Sequence, residues 1–192
     1  MGGIMSIILQ GSTSGSITLQ EPAVAGSTVL DLPAVSGTIL TTTSPKAGNV
    51  IQVPAQAVTF TQISFTTTTF TDWTGMSVSI TPSSTSSRIL IIASINGIYA
   101  PQSENALIRL LRNSTDIAHG GDYQPYNNAG VIGGGQTIVF IDSPSTTSSV
   151  TYKLQYRSDG GGACQVNTND SSNTQLGDES TNSTLTLMEI AG

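Results

Sequence analysis

The sequence predicts an all-β protein in two parts, a β-structured stem built from a repeat and a C-terminal antiparallel sandwich. Three observations carry this reading. β-Branched Val, Ile and Thr, which fit a pleated sheet better than a helix, recur along the whole chain. Charged residues are only 9% of 192, far below the roughly 25% of an ordinary soluble domain, so the surfaces must be polar without being charged. Hydrophobic residues still make up 37%, which separates the chain from the high-charge, low-hydrophobicity composition of disorder. Third, an eleven-residue unit repeats from Gly15 onward.

The repeat reads GSITLQEPAVA, then GSTVLDLPAVS, then the start of another unit, GTIL. Gly15, Gly26 and Gly37 open the units; Ser16 matches Ser27, Leu19 matches Leu30, and Pro22-Ala23-Val24 matches Pro33-Ala34-Val35. So short a unit cannot bury a core of its own and must stack on something. Glycine permits the turns, and proline blocks ladder pairing at its own position. No aromatic residue precedes Phe60, and the only charges before it are Glu21, Asp31 and Lys46. Aliphatic residues in such a segment, Ile17, Leu19, Leu30 and Val35 among them, need partners from elsewhere, and identical neighbouring chains supply them most simply.

The composition break divides the chain into an anchor (1–14), a repeat stem and linker (15–58) and a head (59–192). Residues 1–10 are apolar and uncharged and are expected to have no partner within their own chain, so they are read as the attachment to a larger particle. Residues 41–58 combine a Thr run, two prolines and a Gly-Asn turn signal, the marks of a connector.

In the head, short β-rich segments alternate with turn signals, the pattern of a sandwich. Residues 76–80, MSVSI, alternate strictly. Residues 88–99, RILIIASINGIY, form an almost unbroken apolar run, as a strand buried on both faces requires. Residues 106–112, ALIRLLR, read as a strand because the turn signal Asn113-Ser114-Thr115-Asp116 follows. Residues 119–135 and 167–179 read as loops. Residues 136–142, 148–158, 163–166 and 183–190 read as the remaining strands. The last of these, STLTLMEI, is apolar on both faces, which places Leu185, Leu187 and Ile190 at a subunit contact as well as in the sandwich.

Composition also excludes function classes. Six Lys and Arg residues against a net charge of −6 leave no basic face for nucleic acid. A lone cysteine, Cys164, rules out a disulfide framework and a CxxC site. No apolar run approaches the roughly 20 residues of a membrane helix, so no membrane insertion is expected. The segment Gly11-Ser12-Thr13-Ser14-Gly15 has Thr where a nucleophile elbow needs Ser, and Gly133-Gly134-Gly135 lacks the Lys-Ser/Thr of a phosphate loop. The only histidine, His119, stands beside Gly120, Gly121 and Asp122 in a predicted loop. Asp170, Asp178 and Glu179 lack the register of a calcium loop. No enzyme, cofactor or metal site is expected. The binding candidates are His119 with Tyr123, Tyr126, Asn127 and Asn128, because aromatic and adaptable polar residues on a loop suit a sugar or protein surface.

The segment SGSITLQEPAVAGSTVLDLPAVSGTIL resembles a stem found in tail-fibre and related virion proteins of tailed bacteriophages. The C-terminal part is similar to the small jelly-roll heads, related in architecture to complement C1q and tumour necrosis factor, that cap such fibres. Its ending STLTLMEIAG is similar to their last strand and RILIIASINGIY to an inner one. The resemblance implies a homotrimer on a virion, joined to other virion proteins through its N-terminus, with the head outward toward a host surface glycan or protein. This chain is shorter than receptor-binding tail fibres usually are, which leaves a short fibre, a head fibre or a capsid decoration.

Overall fold

The computed structural model describes residues 6–10, 13–20, 45–101, 104–120, 134–168 and 181–192. Every regular element among them is a strand, and every pairing is antiparallel. The chain divides into two compact units, Met1–Ile39 and Leu40–Gly192.

In the first unit, β1 (Ser6–Gln10) and β2 (Ser16–Gln20) form a hairpin with Ile7 opposite Leu19 and Leu9 opposite Ile17. Gly15, at φ +80°, takes a backbone conformation that other residues reach only with strain. This corrects one expectation: residues 6–10 do have a partner in their own chain, the first strand of the repeat. Residues 16–20, SITLQ, alternate polar and aliphatic, while residues 6–10, SIILQ, carry three aliphatic residues between polar ends. Leu30 and Val35 lie outside the described residues.

The second unit contains two facing sheets. One comprises β10 (Gln136–Asp142), β7 (Arg88–Ile95) and β13 (Ser183–Ile190) in that order. β3 (Val50–Gln52) and β4 (Ala57–Thr59) complete it, pairing with the two ends of β13's other edge. Pro54, which has no N–H to donate, falls between β3 and β4. The other sheet runs β6 (Thr71–Ile80), β11 (Val150–Ser158), β8 (Ala106–Arg112), β9 (Thr115–His119). A small ladder of β5 (Ile63–Phe65) and β12 (Cys164–Val166) completes the unit.

Period-two alternation puts one face of each sheet into a shared core. Ile89, Ile91, Ala93, Ile95, Leu185 and Leu187 come from the first sheet; Trp73, Met76, Ile108, Leu110, Tyr152 and Leu154 come from the second. The run at residues 88–95 is not buried on both faces, however. Leu90, Ile92 and Ser94 are only half-buried, because no described element of the unit covers that side. Likewise Leu185 and Leu187, expected at a subunit contact, are fully buried in their own core and have no surface left to offer; Ile190 lies on the outer face of the same strand. Residues 106–112 form a strand as expected, and Asn113 turns the chain into β9 with a positive φ of 55°.

β13 runs from Ser183, beside Thr59, to Ile190, beside Val50. At the Ile190 end the incoming linker is stitched down by Gly48 N–H to Ala191 O and Ala191 N–H to Asn49 O, each 2.8 Å. Arg88 lies opposite Ile190, and Val150 opposite Ile80, so the turns at 81–87, 113–114 and 143–149 share this linker end. At the Ser183 end lie Ile95, Gln136, His119 and the Ala106–Ser158 pair, so the strand ends that bound the connections 96–105, 120–135 and 167–182 share the opposite, loop end. The eight residues of β13 rise about 3.4 Å at each step from one to the next, which places the two ends roughly 24 Å apart.

Candidate functional site at the loop end of the sandwich

The floor of the loop end is a buried polar clamp centred on Asn167. β12 delivers this side chain, fully buried, in the left-handed conformation at φ 57°, which asparagine tolerates better than most residues. Its Nδ2 donates to Thr59 O at 3.2 Å and Thr61 O at 3.0 Å, and its Oδ1 accepts from Ser183 Oγ at 2.6 Å. Ser183 Oγ in turn accepts from Asn96 N–H at 3.1 Å, and Asn96 Nδ2 donates to Asn182 O at 2.6 Å. The backbone completes the clamp: Asn167 N–H donates to Asn96 O and Thr168 N–H to Gly97 O, each at 3.0 Å. Gly97 sits at φ +57°, and a Cβ there would come within 2.1 Å of Thr168 O, so only glycine allows this approach. Four separate stretches of chain are thereby locked together where the loops depart. Asn167 carried no distinguishing signal in a sequence so rich in Asn, Ser and Thr.

His119 ends β9 opposite Arg109, on the outer face of the four-stranded sheet. It is strand, not loop, and its side chain is 60% exposed, with Nε2 3.1 Å from Asp116 Oδ2. Arg109 donates from Nη1 to the same oxygen at 2.9 Å and from Nε and Nη2 to Gln155 Oε1 at 2.8 and 2.6 Å. Its guanidinium lies 4.0 Å from the centroid of the Phe70 ring, and Arg157 approaches that ring at 5.3 Å. His119 meets Phe70 edge-on at 6.5 Å. Cation–π attraction and charge-assisted hydrogen bonds thus tie β8, β9 and β11 to the segment before β6. Lys153 is likewise held, 2.7 Å from Asp72 Oδ2; this contact leads the causes that hold the Asp72 carboxyl below its usual range.

Near the same end Glu104 accepts from Gly160 N–H at 2.8 Å and Ser158 Oγ at 2.9 Å, and these bonds, the Gly160 one foremost, lower its pKa. Cys164 is buried beside Ser158, and burial pushes its thiol up, away from the reactive thiolate. Among the described residues no three His, Cys, Asp or Glu side chains gather as a metal site, and no helix is long and apolar enough to cross a membrane.

Of the predicted binding residues the structure therefore places His119, at the rim of this end. Tyr123, Tyr126, Asn127 and Asn128 lie outside the described residues; the strand ends on either side of their segment, His119 and Gln136, both belong to the loop end. Of the predicted stem contacts, β2 places Ile17 and Leu19 within the N-terminal hairpin. No protein-family profile matches the chain, and no curated protein matches it.

Proposed function

We propose that this chain is a non-enzymatic virion fibre protein of a tailed bacteriophage. In this reading it is a homotrimer with an interchain stem from the repeat and a jelly-roll head that attaches the particle to a host surface glycan or protein. The observation that carries this reading is the polarity of the second unit. The linker arrives at one end of the sandwich, beside Ala191, while the long connections leave at the other. A molecule fixed through its N-terminal side and reading a surface at its far side needs that arrangement. The strand orders, β3/β4-β13-β7-β10 and β6-β11-β8-β9, support the jelly-roll reading, since consecutive long strands alternate between two antiparallel sheets.

Attachment works by avidity. Three weak sites per trimer and several trimers per particle give tight adsorption from a poor single affinity. Tyr123, Tyr126, Asn127, Asn128 and His119 are the candidate contacts. The alternative is a purely structural virion component, a capsid decoration or head fibre. It is favoured by the described floor, which spends its polar groups on itself, as in the Asn167 clamp. Fluorescent particles coated with the full chain decide between them. Saturable adsorption to host cells, competed by their purified surface glycan or protein, supports attachment; no adsorption to any strain the phage infects leaves the structural role.

A further inference from the structure

We propose that Asn96-Gly97, at the loop end of the sandwich, is a self-modification site of this chain. Its chemistry is the loss of ammonia from the Asn96 side chain, and the Asn167 clamp holds it closed. The assignment is independent of what the loop end contacts.

This is the one Asn-Gly pair in the 192 residues. Asparagine is most reactive before glycine for a steric reason. No Cβ shields the following amide nitrogen, and glycine's backbone reaches the conformations that bring this nitrogen to the side chain. The Gly97 nitrogen attacks Cγ of Asn96. A new N–Cγ bond closes a succinimide ring, the Cγ–Nδ2 bond breaks, and the former Nδ2 leaves as ammonia with the proton that the Gly97 amide gives up. Water then opens the ring at either carbonyl, leaving aspartate or isoaspartate at position 96.

The folded loop end opposes the attack from both partners. Asn96 Nδ2, the leaving group, donates to Asn182 O at 2.6 Å. Asn96 Oδ1 lies against Gly135, where an added Cβ would stand 2.6 Å from it. The peptide that must rotate is pinned as well: Asn96 N–H donates to Ser183 Oγ at 3.1 Å, and Asn96 O and Gly97 O accept from Asn167 and Thr168 N–H, each at 3.0 Å. Gly97 is itself buried, with Thr168 O and Thr181 Oγ1 only 2.1 and 2.4 Å from where a Cβ would stand. Carrying Cγ over the Gly97 nitrogen breaks these contacts together. The reaction therefore runs from an opened loop end, and its rate follows the population of that open form.

The product does not refit the clamp. Aspartate at 96 sets a carboxylate oxygen against Asn182 O, two acceptors with no hydrogen between them. Isoaspartate routes the main chain through Cβ and lengthens it between the Ser183 and Thr168 contacts. Each opening thus carries a chance of permanent loss, and this pair sets how long the loop end keeps its folded form.

The test follows the full chain by peptide mass mapping at mildly alkaline pH, where the amide nitrogen gives up its proton more readily. In urea the Asn96 peptide should convert, gaining the mass of an amide-to-acid exchange and splitting into aspartate and isoaspartate forms. In the folded chain the same conversion should be at least about 100-fold slower. Asn167→Ala and, independently, Ser183→Ala should each speed it by about tenfold or more over the folded wild type, since each removes bonds of the clamp. Asn113-Ser114, in the exposed turn at the linker end, is the internal reference and should keep its wild-type rate in both variants. No conversion of Asn96 in urea overturns the site. Conversion in the folded chain at the urea rate overturns the clamp as its lock. So does an Asn96 rate that neither variant changes, or one that rises only in step with Asn113, the mark of global unfolding.

Discussion

At the scale of single residues, the second unit depends on a few buried polar groups with fully assigned partners. Asn167 uses both amide hydrogens and its carbonyl oxygen, so Asn167→Ala abandons Thr59 O, Thr61 O and Ser183 Oγ together. Each buried group left unpaired costs about 1–3 kcal/mol, and a urea titration should show the midpoint falling accordingly. Gly97→Ala should destabilise by more than about 1 kcal/mol in the same assay, because the methyl group meets backbone rather than a side chain that can move. Glu189 gives a pH signature. Burial drives its pKa up, but hydrogen bonds outweigh this and hold the carboxyl below its ordinary value. Its Oε1 accepts from Ser83 N–H and Oγ, each at 2.7 Å, and its Oε2 accepts from Gln52 at 2.5 Å. A depressed folded-state pKa means stability that is present above the unfolded value of about 4.3 and lost as pH falls through the lower folded value. Glu189→Gln sets an amide against these donors. It should lower stability at pH 7 by about 1–3 kcal/mol and flatten the loss of stability between pH 5 and the acid limit, read from melts across that range. A wild-type acid dependence unchanged by the substitution would remove Glu189 from the account.

At the scale of elements, the linker belongs to the sandwich more than composition implies. The aromatic break falls at residue 59, yet β3 and β4 lie before it or on it and pair with both ends of β13. A chain beginning at residue 59 therefore exposes one edge of β13, deprives Glu189 of Gln52 and strips the core face of Ala57. A chain beginning at residue 45 keeps all three. The longer piece should be soluble with a single cooperative melt; the shorter should melt at least several degrees lower or aggregate through the bared strand edge. Equal melting temperatures for the two would show that β3 and β4 contribute nothing. At the other end of the chain, β1 and β2 pair with each other, and a two-stranded hairpin is marginal alone.

At the scale of the whole molecule, the far-UV circular dichroism of the full chain should be sheet-dominated, without the double minimum of helix. The repeat's role is checked by replacing Leu19 and Leu30 with Asp. If the stem is an interchain rod, limited proteolysis should cut the repeat region of the variant while Leu40–Gly192 stays intact; an unchanged digestion pattern removes the rod from the account.

The β class and the approximate positions of the head strands at 76–80, 88–95, 106–112, 136–142, 150–158, 164–166 and 183–190 are legible in the sequence, because alternation and turn residues are local properties; β9 and the first half of β6 are not. The sequence also predicted that residues 106–112 are a strand, since the Asn113 turn signal is written beside them. What it left undecided was which apolar side faces inward when both sides are apolar. In residues 183–190 Leu185 and Leu187 look interchangeable with Met188 and Ile190, and only pairing against β7 and β3 sends the first two into the core. The same holds for the incorporation of β3 and β4 and for the burial of one asparagine among many. Each depends on hydrogen bonds or packing between residues far apart in the chain. Asn167 and Thr59 are 108 positions apart, and Glu189 and Gln52 are 137 apart, so no local pattern could have announced them.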